Sequence, residues 1–325
     1  MIRNSILLHL CLVLAVVLSL GVSTAWAINN FPGRTPAVPI AQGSESFDFD
    51  RGFDLETFTN TRVAPPDLML YFSPEFSMTL MNLWTPFWLR DADLASYNSS
   101  PGPFSFEFDG TPYGLRNLDA VDLEMSQYEE GSDDMLIYFS VREDHLLNND
   151  DGSPFYMHKE DIAVLDTYTG KFEMILEGKA RGILGIDALS VLNNVGEGGS
   201  ESMSFVFSPT VDSYCSNGMN PPVFCHDEDL VKYDPNTNMF SIYVRGIDIG
   251  VGTLDAVDIV DELIYFSVKE PIFVYKPPFT AVYLKDGDVG IYDPYTQMVT
   301  RVFEGKNKGV FSIDALSMGY PDPQN

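Results

Sequence analysis

Short apolar stretches, broken at regular intervals by Asp, Ser and Gly, recur along most of this chain. Leu263-Ile264-Tyr265-Phe266-Ser267-Val268 and Met135 to Val141 are typical: rich in β-branched and aromatic residues and bounded by polar breaks. That pattern predicts strands. No segment shows a sustained helical period.

The stretches are copies of one another. Leu118-Asp119-Ala120-Val121-Asp122-Leu123 recurs as Ile186-Asp187-Ala188-Leu189-Ser190-Val191 and Leu254-Asp255-Ala256-Val257-Asp258-Ile259. A degenerate copy is Phe53-Asp54-Leu55, and Ile313-Asp314-Ala315-Leu316 comes near the end. A second apolar strand ends in Phe-Ser or its like at Ser73, Ser140, Ser208 and Ser267, with steps of 67, 68 and 59 residues. A third strand opens on an acid at Asp93, Asp161, Asp229 and Asp288, and a fourth ends in glycine at Gly110, Gly178, Gly246 and Gly305. Anchors that keep one spacing four times define a repeat, with a shorter last unit. Tyr233-Asp234-Pro235-Asn236-Thr237 and Tyr292-Asp293-Pro294-Tyr295-Thr296 supply turn chemistry between third and fourth strands.

A unit of four antiparallel strands cannot bury both faces alone, and radial stacking of such units solves this. The order of motifs resembles generic β-propeller blades over nearly the whole chain after its N-terminus. The resemblance implies an all-β fold of four full blades, with repeats at about 53–117, 118–185, 186–253 and 254–312. The chain closes on a lone first strand, 313–318, and Ser46-Phe47-Asp48-Phe49-Asp50 reads as a lone fourth strand. Paired, these would add a two-strand partial fifth blade joining N- to C-terminus. A linker at 28–44 and a tail at 319–325 flank a propeller at 45–318.

The first residues change the compartment. Arg3, the apolar run Ile6 to Val22 and Ala25-Trp26-Ala27 make residues 1–27 a signal peptide, with cleavage before Ile28. The expected location is therefore secreted or periplasmic, and no later segment is apolar enough to span a membrane. Cleavage removes one Arg and no acid, taking the formal charge from −28 to −29. Such a surface repels nucleic acid and anionic membrane and suits cationic partners. Cys215 and Cys225 are left as a close pair in an exported chain, which predicts one disulfide across the loop holding Pro221-Pro222.

Propeller geometry sorts the polar residues. The first-strand Asp, second-strand Ser and third-strand Asp fall near one face, together with the fourth-to-first and second-to-third loops. Gly110 and Gly114, Gly178 and Gly182, Gly246 and Gly250, and Gly305 and Gly309 repeat in the fourth-to-first loop, which predicts positive φ or close approach. The acids Asp93, Asp161, Asp229 and Asp288 admit two readings: a set of oxygen ligands for Ca²⁺, or acceptors of backbone N–H groups at turns. Three residues before each stands a base, Arg90, His158, His226 or Lys285. Because Arg and Lys share the slot, ion pairs with the acids are the simpler account than metal ligation by His158 and His226. Asn148-Asn149-Asp150-Asp151-Gly152 lacks the spacing of a Ca²⁺ hand and reads as a solvated turn.

The second-to-third loops differ between blades, and individual function belongs there. They carry Trp84, Phe87 and Trp88 in the first blade, Phe155 and Tyr156 in the second, and Tyr214 and Phe224 in the third. The fourth carries Phe273, Tyr275, Phe279 and Tyr283. Aromatics crowding one face can stack a sugar or grip a peptide, or pack on one another. The chain has no G-x-S-x-G, H-E-x-x-H or P-loop. The expected function is a non-catalytic exported propeller binding a protein, peptide or glycan. The alternative is a Ca²⁺-dependent hydrolase or lyase with acids at the ring axis.

Overall fold

The computed structural model describes residues 69–82, 85–98, 104–125, 134–195, 201–218, 220–276 and 280–319. The chain divides into a unit of Met1–Asn60, outside the described residues, and a unit of Thr61–Asn325 that holds all the strands below. The signal peptide, the linker, Phe53-Asp54-Leu55, Ser46 to Asp50, Trp84 and Phe279 also lie outside the described residues.

The fold is a four-bladed β-propeller. The second blade is β6 (Leu118–Met125), β7 (Met135–Val141), β10 (Ile162–Asp166) and β11 (Lys171–Leu176), hydrogen-bonded in that order. The third is β12 (Ile186–Val195), β13 (Glu201–Pro209), β16 (Leu230–Asp234) and β17 (Met239–Val244). The fourth is β18 (Leu254–Val260), β19 (Leu263–Val268), β22 (Val289–Asp293) and β23 (Met298–Phe303). Every pairing within the blades is antiparallel.

The first blade differs in how it is assembled. It holds β1 (Met69–Ser73), β4 (Leu94–Asn98) and β5 (Phe104–Phe108), and its innermost strand is the C-terminal β24 (Ala315–Gly319). β24 pairs with β1 from Ala315 opposite Ser73 to Gly319 opposite Met69. The closing strand therefore completes the first of four blades, and among the described residues no fifth blade forms. The reason is edge chemistry: an unpaired β1 would leave a row of N–H and C=O groups open, and β24 satisfies them.

Each second-to-third connection is itself a hairpin standing on the blade. These are β2 (Met78–Asn82) with β3 (Thr85–Leu89), β8 (His145–Asn148) with β9 (Pro154–Met157), β14 (Ser213–Cys215) with β15 (Val223–Cys225), and β20 (Ile272–Lys276) with β21 (Thr280–Leu284). The core consists of four apolar clusters, one at each junction between neighbouring blades. Ala120, Ala188, Ala256 and Ala315 are all buried on the inner strands or the closing strand, at 0–1% exposure.

The repeated glycine pair serves two separate needs. Gly114, Gly182, Gly250 and Gly309 end one-turn helices with φ between 79° and 89°, where a Cβ is strained. Gly110, Gly178, Gly246 and Gly305 instead lie against the turn that opens the third strand, so a Cβ on Gly178 would meet the Glu160 carbonyl.

Candidate functional site

Two places on the fold gather polar or exposed side chains: the axis and the hairpin face. Along the axis, the inner strands β6, β12, β18 and β24 present Asp122, Ser190, Asp258 and Ser317 in turn, all buried. Acid alternates with hydroxyl. Asp122 Oδ1 accepts from Ser317 Oγ at 2.7 Å and its Oδ2 from the Val191 N–H at 2.5 Å. Asp258 Oδ1 accepts from Ser190 Oγ at 2.8 Å and its Oδ2 from the Met318 N–H at 2.6 Å. Each carboxylate thus ties its own blade to both neighbours. Four aspartates here would stack four charges in a dry core, so hydroxyls in alternate blades supply donors and halve the charge. Burial, followed by the charge of Asp258, pushes Asp122 well above the ordinary carboxylate range.

Nearer the mouth the first-strand acids Asp119, Asp187 and Asp255 each occupy a β-bulge in the pairing of first and second strands. A bulge re-aims its residue, and these three join Asp314 of the closing segment around the axis. Two cations answer them. The Arg142 guanidinium reaches both oxygens of Asp314 at 2.8 and 3.0 Å, Asp119 at 3.3 Å and Glu75 at 3.2 Å. Lys269 Nζ reaches Asp187 at 3.2 Å, and Thr210 Oγ1 donates to the same carboxylate at 3.1 Å. Arg142 and Lys269 occupy the same place in blades two and four, so the mouth repeats the two-fold alternation seen below it. Five carboxylates face two cations.

Asp255, 3% exposed, takes neither the Lys269 nor the Thr210 contact, both of which go to Asp187. Burial, reinforced by Asp187, Glu75 and Asp119 and opposed by Lys269, pushes its carboxyl up to about 7. Asp119 is pushed up to about 6 by burial and by Asp187, against the opposing pull of Arg142. Burial and the neighbouring Asp119 and Asp255 charges act upward on Asp314 too. The two-pronged Arg142 contact opposes that rise, and the coupled acids of the ring titrate together, with Asp255 lacking such a contact. A carboxyl raised in the folded state binds more protons folded than unfolded. Its stabilising effect is complete below an unfolded value of about 3.9 and is lost as pH rises through about 7. The melting temperature of the parent is therefore expected to fall by roughly 5 °C between pH 5 and pH 8. Asp255→Asn should flatten that slope, and an unchanged slope in differential scanning fluorimetry would contradict this assignment.

The third-strand acids are spoken for by backbone. Asp93, Asp161, Asp229 and Asp288 accept from the N–H of Arg90, His158, His226 and Lys285 at 2.9–3.2 Å. They also accept from the N–H of Gly110, Gly178, Gly246 and Gly305 at 2.9–3.3 Å. Each carboxylate therefore clamps the start of the third strand to the end of the fourth, one blade apart from the next.

The ion-pair expectation for the preceding bases holds in the first blade alone, where Arg90 Nε meets Asp93 at 2.9 Å. In blades two and three the histidines turn away to Asp144 and Asp212, at 3.1 and 3.2 Å, while Lys285 Nζ lies over the Tyr283 ring. Arg245 and Arg301 take the vacated role beside Asp229 and Asp288. His145, the histidine without a counterpart, is buried with Nε2 2.9 Å from the Arg116 carbonyl oxygen.

The hairpins are two-faced, as a period of two demands. Leu80 and Leu89, Leu147 and Met157, Cys215 and Cys225, and Val274 and Leu284 point inward and are buried. The opposite face carries cross-strand pairs at one common register: Thr79 with Trp88, Leu146 with Tyr156, Tyr214 with Phe224, and Phe273 with Tyr283. Trp88, Leu146, Tyr156, Tyr214 and Phe273 are 53–62% exposed. Phe87 and Phe155 point the other way and pack on the core, Phe155 stacked 5.4 Å from Phe172. Tyr275 lies in β20 opposite Ala281.

The expected disulfide is not present. Cys215 and Cys225 are both free and buried, with sulfurs 3.3 Å apart against about 2.05 Å in a bond. They sit diagonally in the hairpin, Cys215 opposite Val223 and Cys225 opposite Ser213, and fill the inward positions that Leu80 and Leu89 fill in the first blade. The shared contact with Cys225, followed by burial, pushes the Cys215 thiol up.

Leu146, Arg142 and Lys269 went unread in the sequence. Leu146 becomes visible only when the hairpin register aligns it with Tyr214 and Phe273. Arg142 and Lys269 each follow the second-strand Ser by two residues, a signal hidden because Glu75 and Thr210 hold that place in the other blades.

No family model and no curated protein matches the chain. Among solved structures it is similar to a chain of a nidogen/laminin complex, at 8% identity over 77% of this chain and 98% of that one, with a TM-score of 0.35. It is also similar to the hemopexin-fold protein CP4 of cow pea, at 10% identity over 71% and 92%, with a TM-score of 0.31. A third is PorZ, a surface component of the type-IX secretion system of Porphyromonas gingivalis, at 10% over 72% and 33%, with a TM-score of 0.30. Among the described residues no helix is long and apolar enough to cross a membrane.

Proposed function

We propose that this chain is an exported, non-catalytic binding module that takes a protein or peptide on its hairpin face. The observation that carries the reading is a cross-strand pair at one exposed register in all four hairpins, aromatic or aliphatic on both strands in three of them and Thr79 with Trp88 in the first. A fold does not need exposed Trp88, Leu146, Tyr156, Tyr214 and Phe273 to close its core, since the opposite face of each hairpin already does that. Large aromatics held on paired strands lose little freedom on binding and are frequent hot spots. Aliphatic Leu146 among them favours apolar peptide side chains over a sugar. The acid-rich mouth and a formal charge of −28 favour a partner with basic flanks. The N-terminal apolar run followed by Ala25-Trp26-Ala27 supports export.

Peptide-display selection on the immobilised chain tests this directly. Recovered peptides are expected to combine aromatic or aliphatic residues with Lys or Arg. Binding should fall about thirtyfold in Tyr214→Ala or Trp88→Ala, the scale of a hot-spot residue. Tyr168→Ala, in a third-to-fourth strand turn on the opposite face, should leave it unchanged. Equal binding by all the hairpin variants would remove this face from consideration. A glycan array that captures ligands where peptides fail would move the reading to sugar stacking.

A further inference from the structure

The four hairpins allow the blades to be aligned residue by residue at their feet. Met78, His145, Ser213 and Ile272 are equivalent, each opposite Leu89, Met157, Cys225 or Leu284. The residue before the hairpin is then Ser77, Asp144, Asp212 or Pro271, and the residue after it Arg90, His158, His226 or Lys285. Two positions further on stand Ala92, Glu160, Glu228 and Gly287. Asp, His and Glu thus occur together in blades two and three, and none of the three occurs in blades one and four. A building rule of the repeat would not sort in this way, since Arg, Lys, Ser, Pro, Ala and Gly meet the fold's needs in the other two blades.

We propose that the foot of the second blade's hairpin is a divalent transition-metal site, with Asp144, His158 and Glu160 as its protein ligands. One ligand atom from each of these residues lies within 4.8 Å of the others, and among the described residues they are the one group of this kind. A second observation falls at the same place. Glu160 Oε2 is, among the described residues, the one buried side-chain polar atom with no hydrogen-bond partner. The buried carboxylates of Asp93, Asp161, Asp229 and Asp288, by contrast, each accept two backbone N–H groups. The Asp144 and His158 side chains are 46% and 29% exposed, so an ion has a path in.

The rival account is a plain Asp–His hydrogen bond that ties hairpin to third strand. It suffices for blade three, where His226 contacts Asp212 while the Glu228 carboxyl turns to its neighbour Asp227. In blade two Glu160 Oε2 has no hydrogen-bond partner, so the Asp–His contact leaves Glu160 unexplained. Small rotamer changes would bring the three atoms from within 4.8 Å to the separation of about 3.3 Å that 2.0–2.1 Å bonds impose. An imidazole with two carboxylates selects a first-row ion such as Zn²⁺ over Ca²⁺ or Mg²⁺, which prefer all-oxygen shells.

The test is direct binding of Zn²⁺ alone to the metal-stripped full chain, by equilibrium dialysis and by the visible spectrum after Co²⁺ substitution. One equivalent per chain is expected, with Co²⁺ bands that mark a nitrogen ligand. His158→Arg and Glu160→Ala install the residues the first blade carries in those slots, so both should fold with the stripped parent's melting temperature. Each should weaken Zn²⁺ by more than about tenfold, with loss of the Co²⁺ bands, while His226→Arg keeps the site. If either variant fails to fold, the other still decides. Zn²⁺ retained at full stoichiometry in the folded variants would overturn the proposal, as would Ca²⁺ binding in preference to Zn²⁺.

Discussion

Truncation after Ser312 abolishes the cooperative unfolding transition of this propeller, or leaves the chain insoluble. The lost segment places Ile313, Ala315 and Leu316 in the core at 0–1% exposure. Burying Ile and Leu contributes roughly 1.5–3 kcal/mol each. The same cut removes the ladder from Ala315 to Gly319 and the Ser317 donor to Asp122, and strips Asp258 of the Met318 N–H. A loss of about 5 kcal/mol or more is comparable with the whole stability of an ordinary domain. It also uncovers the edge of β1, an invitation to pair with other chains. Circular dichroism melts and light scattering on the truncated chain are the check. A truncated chain that melts at the parent's temperature would mean that another segment takes the inner place in the first blade.

Asp258→Ala is expected to be the most damaging single substitution at the axis, at roughly 2–4 kcal/mol. The Met318 N–H and the Ser190 hydroxyl each lose their acceptor in a site without water access. The Ile259 N–H is spared because it also reaches Ser190 Oγ at 3.0 Å. Alanine leaves the strand pairing of β18 intact, so the cost falls on blade-to-blade contacts rather than on blade four itself. Ser190→Asp separates charge alternation from simple polarity. It gives blade three the residue of its neighbours, removes the hydroxyl donor and adds a buried negative charge, and should also destabilise. Urea denaturation of both variants measures the effect. A Ser190→Asp chain as stable as the parent would show that the alternation of acid and hydroxyl has no energetic role.

These expectations rest on features of unequal visibility. The repeat was plain in the sequence because each strand carries its own anchor: Asp-Ala, Phe-Ser, a leading Asp, a closing Gly. The glycine pair was legible for the same reason, and both uses proposed for it occur in the structure. The partial fifth blade was a reasonable inference from leftover strands, but it overlooked that β1 had an inner place to fill. The cysteines misled because ten residues and two prolines read as a staple, whereas their register turns both inward to replace leucines. His158 and His226 were set aside because Arg90 and Lys285 share their slot. In blades two and three, however, Asp and Glu change along with the histidine, at Asp144 and Glu160 and at Asp212 and Glu228.

Sequence alone determined that the chain is a set of equivalent β units and where the anchor residues of the blade strands recur. This is so because period-two patterning and turn chemistry act over a few neighbouring residues. Tertiary structure decided what lies far apart in the chain. It set Ser317 beside Asp122 across 195 residues, and let Arg142 bind Asp314 across 172. It also decided which face of each hairpin meets water. Closing a ring brings equivalent positions of different blades together at the axis, where like charges cannot all be accommodated. The departures from exact repetition, Ser190 for Asp, Arg142 and Lys269 where the other blades carry Glu75 and Thr210, are the means by which this ring closes.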